Sequence, residues 1–324
     1  MAVILDWVAN HTAWDNPWIE HADWYTQVNG EIVHPAGTNW QDVADLNYEN
    51  QEMRLAMIES LTYWVLEANV DGFRFDAADL VPYDFWQQAL SSLNAIPGRN
   101  LIFLAEGKRA DHYRAGFQLT YAWDFYNTLQ DIFAGRSATE LYATHRVEYQ
   151  GLSEGQEKLH FTTNHDESAW DATPVTLFNG TDGALAASVI TVTMGGVPLI
   201  YGSQEVGAVD PVPFFSRSPI QWTENPGMLQ AYRQLLNYYL ESEAFQEGKL
   251  EDFSSRDVVC FTRSGTVKQV LVLVNVRADR VTLNLPAGIQ AAGWSDSFSG
   301  QAAILDGQIS LDRYQYLILE RLLP

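Results

Sequence analysis

The sequence contains little cysteine and little lysine. Its single cysteine, Cys260, excludes an intramolecular disulfide, and its position in the apolar run 258–261 predicts a buried, unreactive thiol. Only four lysines occur among 19 basic residues, against 41 acidic ones, and the formal charge is −22 at neutral pH. Nucleic acids and anionic membrane surfaces would repel such a chain, so a neutral substrate is favoured.

The chain also lacks a long uninterrupted hydrophobic run. Its most apolar stretch, residues 184–201, is broken by serine, threonine, glycine and proline, and it predicts a core helix followed by a strand rather than a membrane span. No basic leader precedes the apolar residues after Met1, so no signal peptide is predicted at this start. The compartment is left open, with a secreted or periplasmic parent expected if the natural start lies upstream.

Residues 1–243 alternate short apolar runs with longer segments of helical period, which is typical of a parallel sheet with crossover helices. The predicted strands are 2–5, 70–75, 101–105, 117–121, 159–163 and 198–201. Apolar residues at steps of three and four predict a helix over 51–68 with Asn50 as its N-cap. The same periodicity predicts helices that begin at Asp84 and that cover 229–239.

Two segments depart from this alternation. Residues 12–47 are too many for an ordinary connection and are rich in tryptophan, histidine and asparagine, so they predict a loop subdomain over a functional site. Beyond Ala244 the pattern changes to β-rich runs separated by turn residues, at 258–262, 270–274, 281–285 and 314–319. Residues 244–324 are therefore predicted to form a separate antiparallel, β-sandwich-like domain.

Four short motifs follow one another along the first 243 residues: LDWVANH at 5–11, GFRFD at 72–76, FLAEG at 103–107 and FTTNHD at 161–166. Three of them place a carboxylate, Asp76, Glu106 or Asp166, after a short apolar run. In a parallel β/α barrel the carboxyl ends of all strands face one mouth, so these side chains are predicted to converge. Cleaving a glycosidic bond with retention requires a nucleophile and a general acid/base about 5 Å apart, and a third carboxylate can add electrostatic stabilisation.

The four motifs resemble the signature regions of the alpha-amylase superfamily of glycoside hydrolases, in the same order. The resemblance covers about residues 1–240 and extends to DVADLN at 42–47 and GVPLIYGSQE at 196–205. It implies a retaining hydrolase of alpha-1,4-glucans such as starch and maltooligosaccharides, with no cofactor required for the chemistry. Asp76 would be the nucleophile, Glu106 the general acid/base and Asp166 the stabiliser of the transition state.

The resemblance also implies roles for neighbouring residues. Arg74, on the same strand face as Asp76, would keep that nucleophile ionised, and His11 and His165 would donate hydrogen bonds to sugar hydroxyls. Asn10 and Asp45 match family positions that bind a structural calcium ion, for which oxygen donors are suited. Leu80, however, stands where many members have a histidine that contributes its carbonyl to this site.

The position of the first motif predicts an incomplete barrel. In the family this motif follows the third strand, whereas here it begins at Asp6. The resemblance therefore implies a (β/α)8-type barrel that lacks its first two βα units, followed by the antiparallel domain. An open barrel exposes strand edges, so the 324-residue chain alone is expected to be weak or inactive, while its parent hydrolyses alpha-glucans.

Three alternatives stay open on the sequence. A transglycosylase of the same superfamily would use the same three carboxylates, and a truncated homologue that binds glucan without cleaving it would need none of them. A metal-dependent hydrolase would draw ligands from the side chains of Asp6, His11, His160, His165 and Asp166. No compact metal motif of the HExxH type supports this third alternative.

Overall fold

The computed structural model describes residues 1–213, 216–286, 288–289 and 293–323. The chain forms two compact units, one made of Met1–Tyr121 and Gly151–Lys158 and the other of Ala122–Gln150 and Leu159–Pro324. The predicted domain boundary after Glu243 falls within the second unit, and it stays a prediction.

The first unit is built on parallel strands. Ile4–Val8 pairs with Gly72–Asp76, which pairs with Ile102–Ala105, which pairs with Leu119–Tyr121. Parallel neighbours require long crossovers, and these crossovers carry the helices Gln51–Glu67, Tyr83–Asn94 and Asp111–Ala115. The α/β fold with a parallel sheet, as predicted, is confirmed.

The helix Gln51–Glu67 follows from its sequence pattern. The side chain of Asn50 accepts hydrogen bonds from the backbone N–H groups of Glu52 and Met53, so it is the N-cap that was predicted. Buried Met53, Met57, Leu61 and Val65 recur at steps of four and pack into the core of the first unit.

The long segment predicted over 12–47 contains short elements of its own. They are the strands His11–Ala13, Gln27–Val28, Glu31–Ile32 and Val43–Asp45 and the 3-10 helices Pro17–Glu20 and Ala22–Trp24. His11–Ala13 pairs antiparallel with Val43–Asp45, which sets His11 opposite Asp45. The two ends of the segment 12–47 therefore lie side by side, next to the first parallel strand.

The second unit begins with helices. They are Trp123–Phe133, Thr139–Glu148, His165–Trp170, Pro174–Leu177, Thr181–Thr193, Pro226–Glu241 and Glu243–Gln246, with a 3-10 turn at Gln204–Val206. Thr181–Thr193 is buried along most of its length, which confirms the predicted core helix, and the strand that follows covers Val197–Pro198 rather than 198–201. The strand Glu157–His160 ends in this unit, where it pairs in parallel with Val197–Pro198. None of the helices in the described residues is long and apolar enough to cross a membrane.

The antiparallel part of the second unit confirms the predicted C-terminal β domain. One sheet runs Lys249–Asp252, Val258–Ser264, Lys268–Asn275, Tyr316–Leu322, Trp294–Asp296 and Ala302–Ala303, and a smaller one pairs Val281–Asn284 with Gln308–Leu311. Cys260 lies fully buried in this sheet. The predicted burial of Cys260 is therefore confirmed, and burial together with the nearby charge of Asp252 raises the pKa of its thiol to about 12.

The first strand extends further than its apolar run predicts. It covers Ile4–Val8 rather than 2–5, because the charged side chain of Asp6 is paired with Arg74 on the neighbouring strand. Because Asp6 is paired with Arg74, its charge does not end the strand. Arg74 lies 68 residues away in sequence, so the local pattern around Asp6 does not show this pairing.

Candidate functional site

Asp76 and Glu106 stand at the carboxyl ends of two neighbouring parallel strands. Asp76 is the last residue of Gly72–Asp76, and Glu106 directly follows Ile102–Ala105, whose Ala105 is paired with Phe75. The Glu106 backbone N–H donates to the Phe75 carbonyl at 2.9 Å and extends this pairing by one residue. The two carboxylates therefore leave the same edge of the first unit.

The guanidinium of Arg74 contacts three carboxylates of the first unit. Its Nη1 lies 2.8 Å from both Asp6 Oδ1 and Asp76 Oδ1, and its Nη2 lies 2.5 Å from Glu106 Oε1. Its Nε donates to the Tyr121 hydroxyl at 3.3 Å. The Arg74 side chain is 7% exposed, whereas that of Asp76 is 24% exposed. A buried cation thus holds carboxylates that still reach solvent.

The charges around Arg74 keep it protonated. Burial alone would lower the pKa of the guanidinium, but Tyr121, Glu106 and Asp6 raise that pKa above its ordinary value. Burial also raises the pKa of Tyr121, so its hydroxyl stays neutral. One permanent cation therefore faces three acidic side chains in this part of the first unit.

The backbone after Asp76 adds a further hydrogen bond to Glu106. Ala77 adopts a left-handed conformation with φ at 42°, which is uncommon for a residue with a Cβ atom. In this conformation its N–H donates to Glu106 Oε2 at 2.9 Å, and the N–H of Ala78 donates to the Glu106 carbonyl at 3.0 Å. The unfavourable turn thereby fixes the Glu106 carboxylate against the Asp76 segment.

His11 lies in the same unit, beside a cavity. Burial lowers the pKa of His11, although the charges of Asp76, Asp42 and Asp45 act in the opposite direction. Its ring lies 5.4 Å from that of Trp40. The cavity has a volume of about 630 Å³ and is lined by Trp7, Val8, His11, Thr12, Ala13, Asn16, Pro17, Trp18, Val43, Met57 and Ser60. A neutral imidazole at such a wall can hydrogen-bond an uncharged ligand.

Asn10 and Asp45, the expected calcium ligands, are close in the fold. Asn10 is buried, its side-chain nitrogen lies 3.4 Å from His11 Nδ1, and Asp45 is paired with His11. Among the residues that the structure describes, Asp45 belongs to no group of three acidic, histidine or cysteine side chains gathered around one point. Calcium takes six to eight oxygen ligands. A calcium ion at Asn10 and Asp45 stays a prediction, and no step is derived through it.

Asp166 and His165 open the helix His165–Trp170 of the second unit. The side chain of Asn164 accepts the backbone N–H groups of Asp166 and Glu167, both at 2.9 Å, and so caps this helix. His165 Nε2 lies 3.5 Å from Asp166 Oδ2. The convergence of Asp166 with Asp76 and Glu106 stays a prediction.

Two of the side chains named for the metal-hydrolase alternative have other partners. The Asp6 carboxylate is held by Arg74, and the His160 ring is buried and stacked on Phe125 at 4.0 Å. In the described ranges, neither of them nor His11 belongs to a group of three side chains placed to share a metal ion.

Sequence reasoning gave no role in glycoside chemistry to two residues of this site, Asp6 and Tyr121. Asp6 is paired with Arg74 across the strands, while Tyr121 ends the strand Leu119–Tyr121. An acid inside an otherwise apolar strand was the available signal for Asp6, since the buried cation Arg74 on the neighbouring strand needs an opposite charge. No comparable signal distinguishes Tyr121 from the other tyrosines of the chain.

Curated relatives match this chain at low sequence identity. An alpha-amylase from Haloarcula japonica is 24% identical over 96% of this chain, and a 4-alpha-glucanotransferase from Thermotoga neapolitana is 26% identical over 69% of it. The chain spans 48% of the first protein and 58% of the second, or about half the length of the relatives it matches.

A solved structure and a family model agree with these relatives. The crystal structure of a maltogenic alpha-amylase from Thermotoga neapolitana matches all of this chain and 78% of its own, with 28% identity and a TM-score of 0.86. The model of the alpha-amylase catalytic domain matches residues 1–258. The resemblance inferred from the motifs is therefore confirmed, and the chain belongs to the alpha-amylase family.

Proposed function

We propose that this chain is the catalytic part of a retaining alpha-glycoside hydrolase that acts on alpha-1,4-glucans such as starch and maltooligosaccharides. One observation carries the proposal: the buried guanidinium of Arg74 contacts both Asp76 and Glu106, at 2.8 and 2.5 Å. Retaining glycosidases use two carboxyl groups about 5 Å apart. Two carboxylates on adjacent nitrogens of one guanidinium support such a short separation.

The proposed reaction has two displacements. First, a carboxylate oxygen of Asp76 attacks the anomeric carbon, the bond to the leaving sugar breaks, and Glu106 gives its proton to the departing oxygen. This step leaves a covalent ester on Asp76 and an ionised Glu106. Glu106 then takes a proton from a water molecule whose oxygen attacks the anomeric carbon, and the ester bond breaks. Both side chains return to their starting protonation states, and the sugar keeps its configuration.

The position of Arg74 suits this exchange of charge. During the first displacement one negative charge disappears from Asp76 and one appears on Glu106, and the second displacement reverses the change. Because Arg74 contacts both carboxylates, its charge stays beside the ionised partner in each state. A fixed charge that needs no reorganisation is the most effective form of electrostatic stabilisation. The Ala77 N–H, 2.9 Å from Glu106 Oε2, supports Glu106 as it ionises.

The remaining roles follow the family resemblance and form part of the proposal. Asp166 stabilises the positive charge of the oxocarbenium-like transition state, for which a carboxylate is the suitable group. His11 and His165 hydrogen-bond the hydroxyls of the bound sugar. The lowered pKa of His11 supports its role, since a neutral imidazole can both donate and accept.

A second candidate function is transfer to a sugar acceptor. The glucanotransferase among the relatives favours it, because transfer proceeds through the same covalent ester and differs only in what attacks that ester. The proposal also includes the barrel architecture, a (β/α)8-type barrel without its first two βα units, which the parallel strands of the first unit and the likeness to the Thermotoga structure support.

The test is the hydrolysis of maltopentaose and of alpha-maltosyl fluoride by the purified chain at high enzyme concentration, because the chain alone is expected to be only weakly active, followed by NMR of the first product anomer. The proposal predicts an alpha product and a loss of about 10²- to 10⁴-fold in the rate on maltopentaose for Glu106→Gln, the usual worth of a general acid. Glu154→Gln, which changes an exposed acid of the first unit, is the matched control and is expected to keep the wild-type rate.

Other outcomes separate the alternatives. A beta product would contradict retention, and longer oligosaccharides at high maltopentaose concentration would identify the transferase. Glucan binding without turnover in either form would identify the non-catalytic homologue. Loss of activity in EDTA would revive the metal-dependent alternative.

A further inference from the structure

Asp79 accepts hydrogen bonds from a segment that follows Glu106. It lies in the 3-10 helix Ala78–Leu80, three residues after Asp76. Its Oδ2 accepts the backbone N–H of Lys108 at 3.0 Å, and its Oδ1 accepts that of Arg109 at 3.2 Å and lies 2.6 Å from His112 Nε2. One carboxylate thus joins the chain after Asp76 to the chain after Glu106.

The close approach depends on Gly107. A Cβ atom at this position would lie 2.3 Å from Asp79 Oδ1 and 2.8 Å from His112 Nε2. Distances this short exclude any side chain unless the contact is given up. The glycine after Glu106 is therefore required by the Asp79 contact and not by an unusual backbone conformation of its own.

His112 is built into the fold as a hydrogen-bond donor. It is fully buried, and its ring meets the edge of Phe117 at 5.2 Å. Its Nδ1 is buried and has no hydrogen-bond partner among the described residues. A proton on Nδ1 would leave an unsatisfied donor in the core, so the hydrogen-bond pattern assigns the proton to Nε2, which donates to Asp79.

The remaining contacts keep Asp79 ionised and hold the segment in place. Burial would raise the pKa of Asp79, but hydrogen bonds from His112 and from the backbone of Lys108 and Arg109 lower it below its ordinary value. The Arg109 guanidinium donates to the carbonyls of Asp79 and Val81 at 2.9 and 3.0 Å. Side-chain and backbone groups therefore hold the same two segments together.

We propose that Asp79 and His112 are a positioning pair that fixes the Glu106 carboxylate for proton transfer to the leaving group. Glu106 Oε2 accepts its hydrogen bond from Ala77, which belongs to the segment that carries Asp79, while Glu106 itself belongs to the segment that carries His112. The orientation of Glu106 depends on the alignment of these two segments. The inference rests on the proposed function, because it assigns no chemistry other than support of Glu106.

The test compares two substrates that differ in their need for an acid. Maltopentaose has a sugar leaving group that must be protonated, whereas the fluoride of alpha-maltosyl fluoride departs with little help. The readout is kcat/KM, which reports the first displacement alone. Asp79→Ala is expected to lower kcat/KM for maltopentaose by about 10²-fold, the cost of misplacing a catalytic group by about 1 Å, and to change the value for the fluoride by less than about threefold.

Conservative variants sharpen the test. His112→Gln keeps an N–H donor and is expected to retain more activity on maltopentaose than His112→Phe, which removes the donor. Asp84→Asn, which removes the negative charge from the 2.7 Å pair with Arg54 elsewhere in the same unit, is the control and should leave the ratio of the two rates unchanged. If Asp79→Ala does not fold, the comparison of the two His112 variants decides the question by the same ratio.

The kinetic results distinguish a failure of the positioning pair from a failure of the proposed function. Equal losses on both substrates, after correction for the folded fraction, would show a purely structural role and overturn the positioning pair alone. Absence of turnover of either substrate by the wild type, or a Glu106→Gln variant as active as the wild type on both, would overturn the proposed function together with the inference.

Discussion

The two units hold their candidate carboxylates in different ways. In the first unit, Asp76 and Glu106 share the buried guanidinium of Arg74, at 2.8 and 2.5 Å. In the second, Asp166 stands in the first turn of a short helix that is capped by Asn164. A shared cation couples the charges of two side chains, whereas a helix cap fixes only the backbone that carries one. The first pair is therefore suited to exchanging a charge, and Asp166 to keeping one.

The charges around Asp166 also differ from those around Asp76 and Glu106. Near Asp166, burial raises the pKa of Glu167, and the charges of Asp171 and Asp166 raise it further, although a hydrogen bond from Tyr126 lowers it. Acidic groups crowd one another here, while in the first unit they surround a cation. Such negative potential favours a ligand or a transition state that carries positive charge, which supports the role proposed for Asp166.

The largest expected effect comes from breaking the shared cation with Arg74→Lys. An ammonium group cannot contact three carboxylates as a guanidinium does, so Asp76 and Glu106 lose their common partner. We expect kcat to fall by about 10³-fold and the free energy of unfolding to fall by about 3 kcal/mol, the lower end for a broken buried pair. Kinetics and urea unfolding check the two losses. A variant that keeps both properties would show that the contacts are incidental.

Asp166→Asn is expected to separate activity from stability. The neutral isostere removes the charge but leaves the helix cap at Asn164 intact, so kcat should fall by about 10²-fold while the melting temperature stays unchanged. The measurement pairs steady-state kinetics with thermal unfolding. A stability loss as large as that of Arg74→Lys would contradict the difference between the units.

Removing the cap gives a smaller effect. Asn164→Ala leaves two N–H groups of the helix without their acceptor and should cost about 1 kcal/mol of stability. Asn225 caps the helix Pro226–Glu241 in the same unit, and Asn225→Ala is the matched control. Both variants should lose similar stability in urea unfolding, but only Asn164→Ala should also lose activity, by about threefold. Equal activity in the two variants would show that the Asn164 cap does not contribute to the function of Asp166.

The smallest effect is a change in the acid dependence of stability. The folded-state pKa of Asp79 is lowered, so its ionised form stabilises the fold above the unfolded-state pKa of about 3.9, and that contribution is lost as the pH falls below this value. Asp79→Asn should therefore lose less melting temperature between pH 6 and pH 3 than the wild type. Asp15→Asn, at an exposed position, should follow the wild type. Parallel curves for all three proteins would contradict the assigned shift.

Local patterns predicted much of the fold. The helix Gln51–Glu67 and its cap at Asn50 follow from a period of three to four residues and one side-chain acceptor. The antiparallel strands after residue 248 follow from alternation and turn residues. Each of these signals lies within one short stretch of consecutive residues, so it does not depend on contacts between distant parts of the chain.

The site was predictable only in part, because its contacts are long-range. Motifs indicated Arg74, Asp76 and Glu106, but the partner of Arg74 at Asp6 lies 68 residues away and that at Tyr121 lies 47 residues away. The close contact of Gly107 with Asp79 likewise depends on how two crossover loops meet. Such contacts are set by the register of parallel strands, which no local period encodes.

The central claim is that Asp76 forms a covalent ester with the sugar while Glu106 ionises on the same guanidinium. Alpha-maltosyl fluoride with a second fluorine at C5 tests it directly, because its leaving group permits the first displacement while the added fluorine slows the second by destabilising the transition state. After digestion, mass spectrometry should find the sugar on the peptide that carries Asp76, and Asp76→Asn should take up none. A sugar attached to Asp166 or Glu106, or turnover without any attached sugar, would contradict the account.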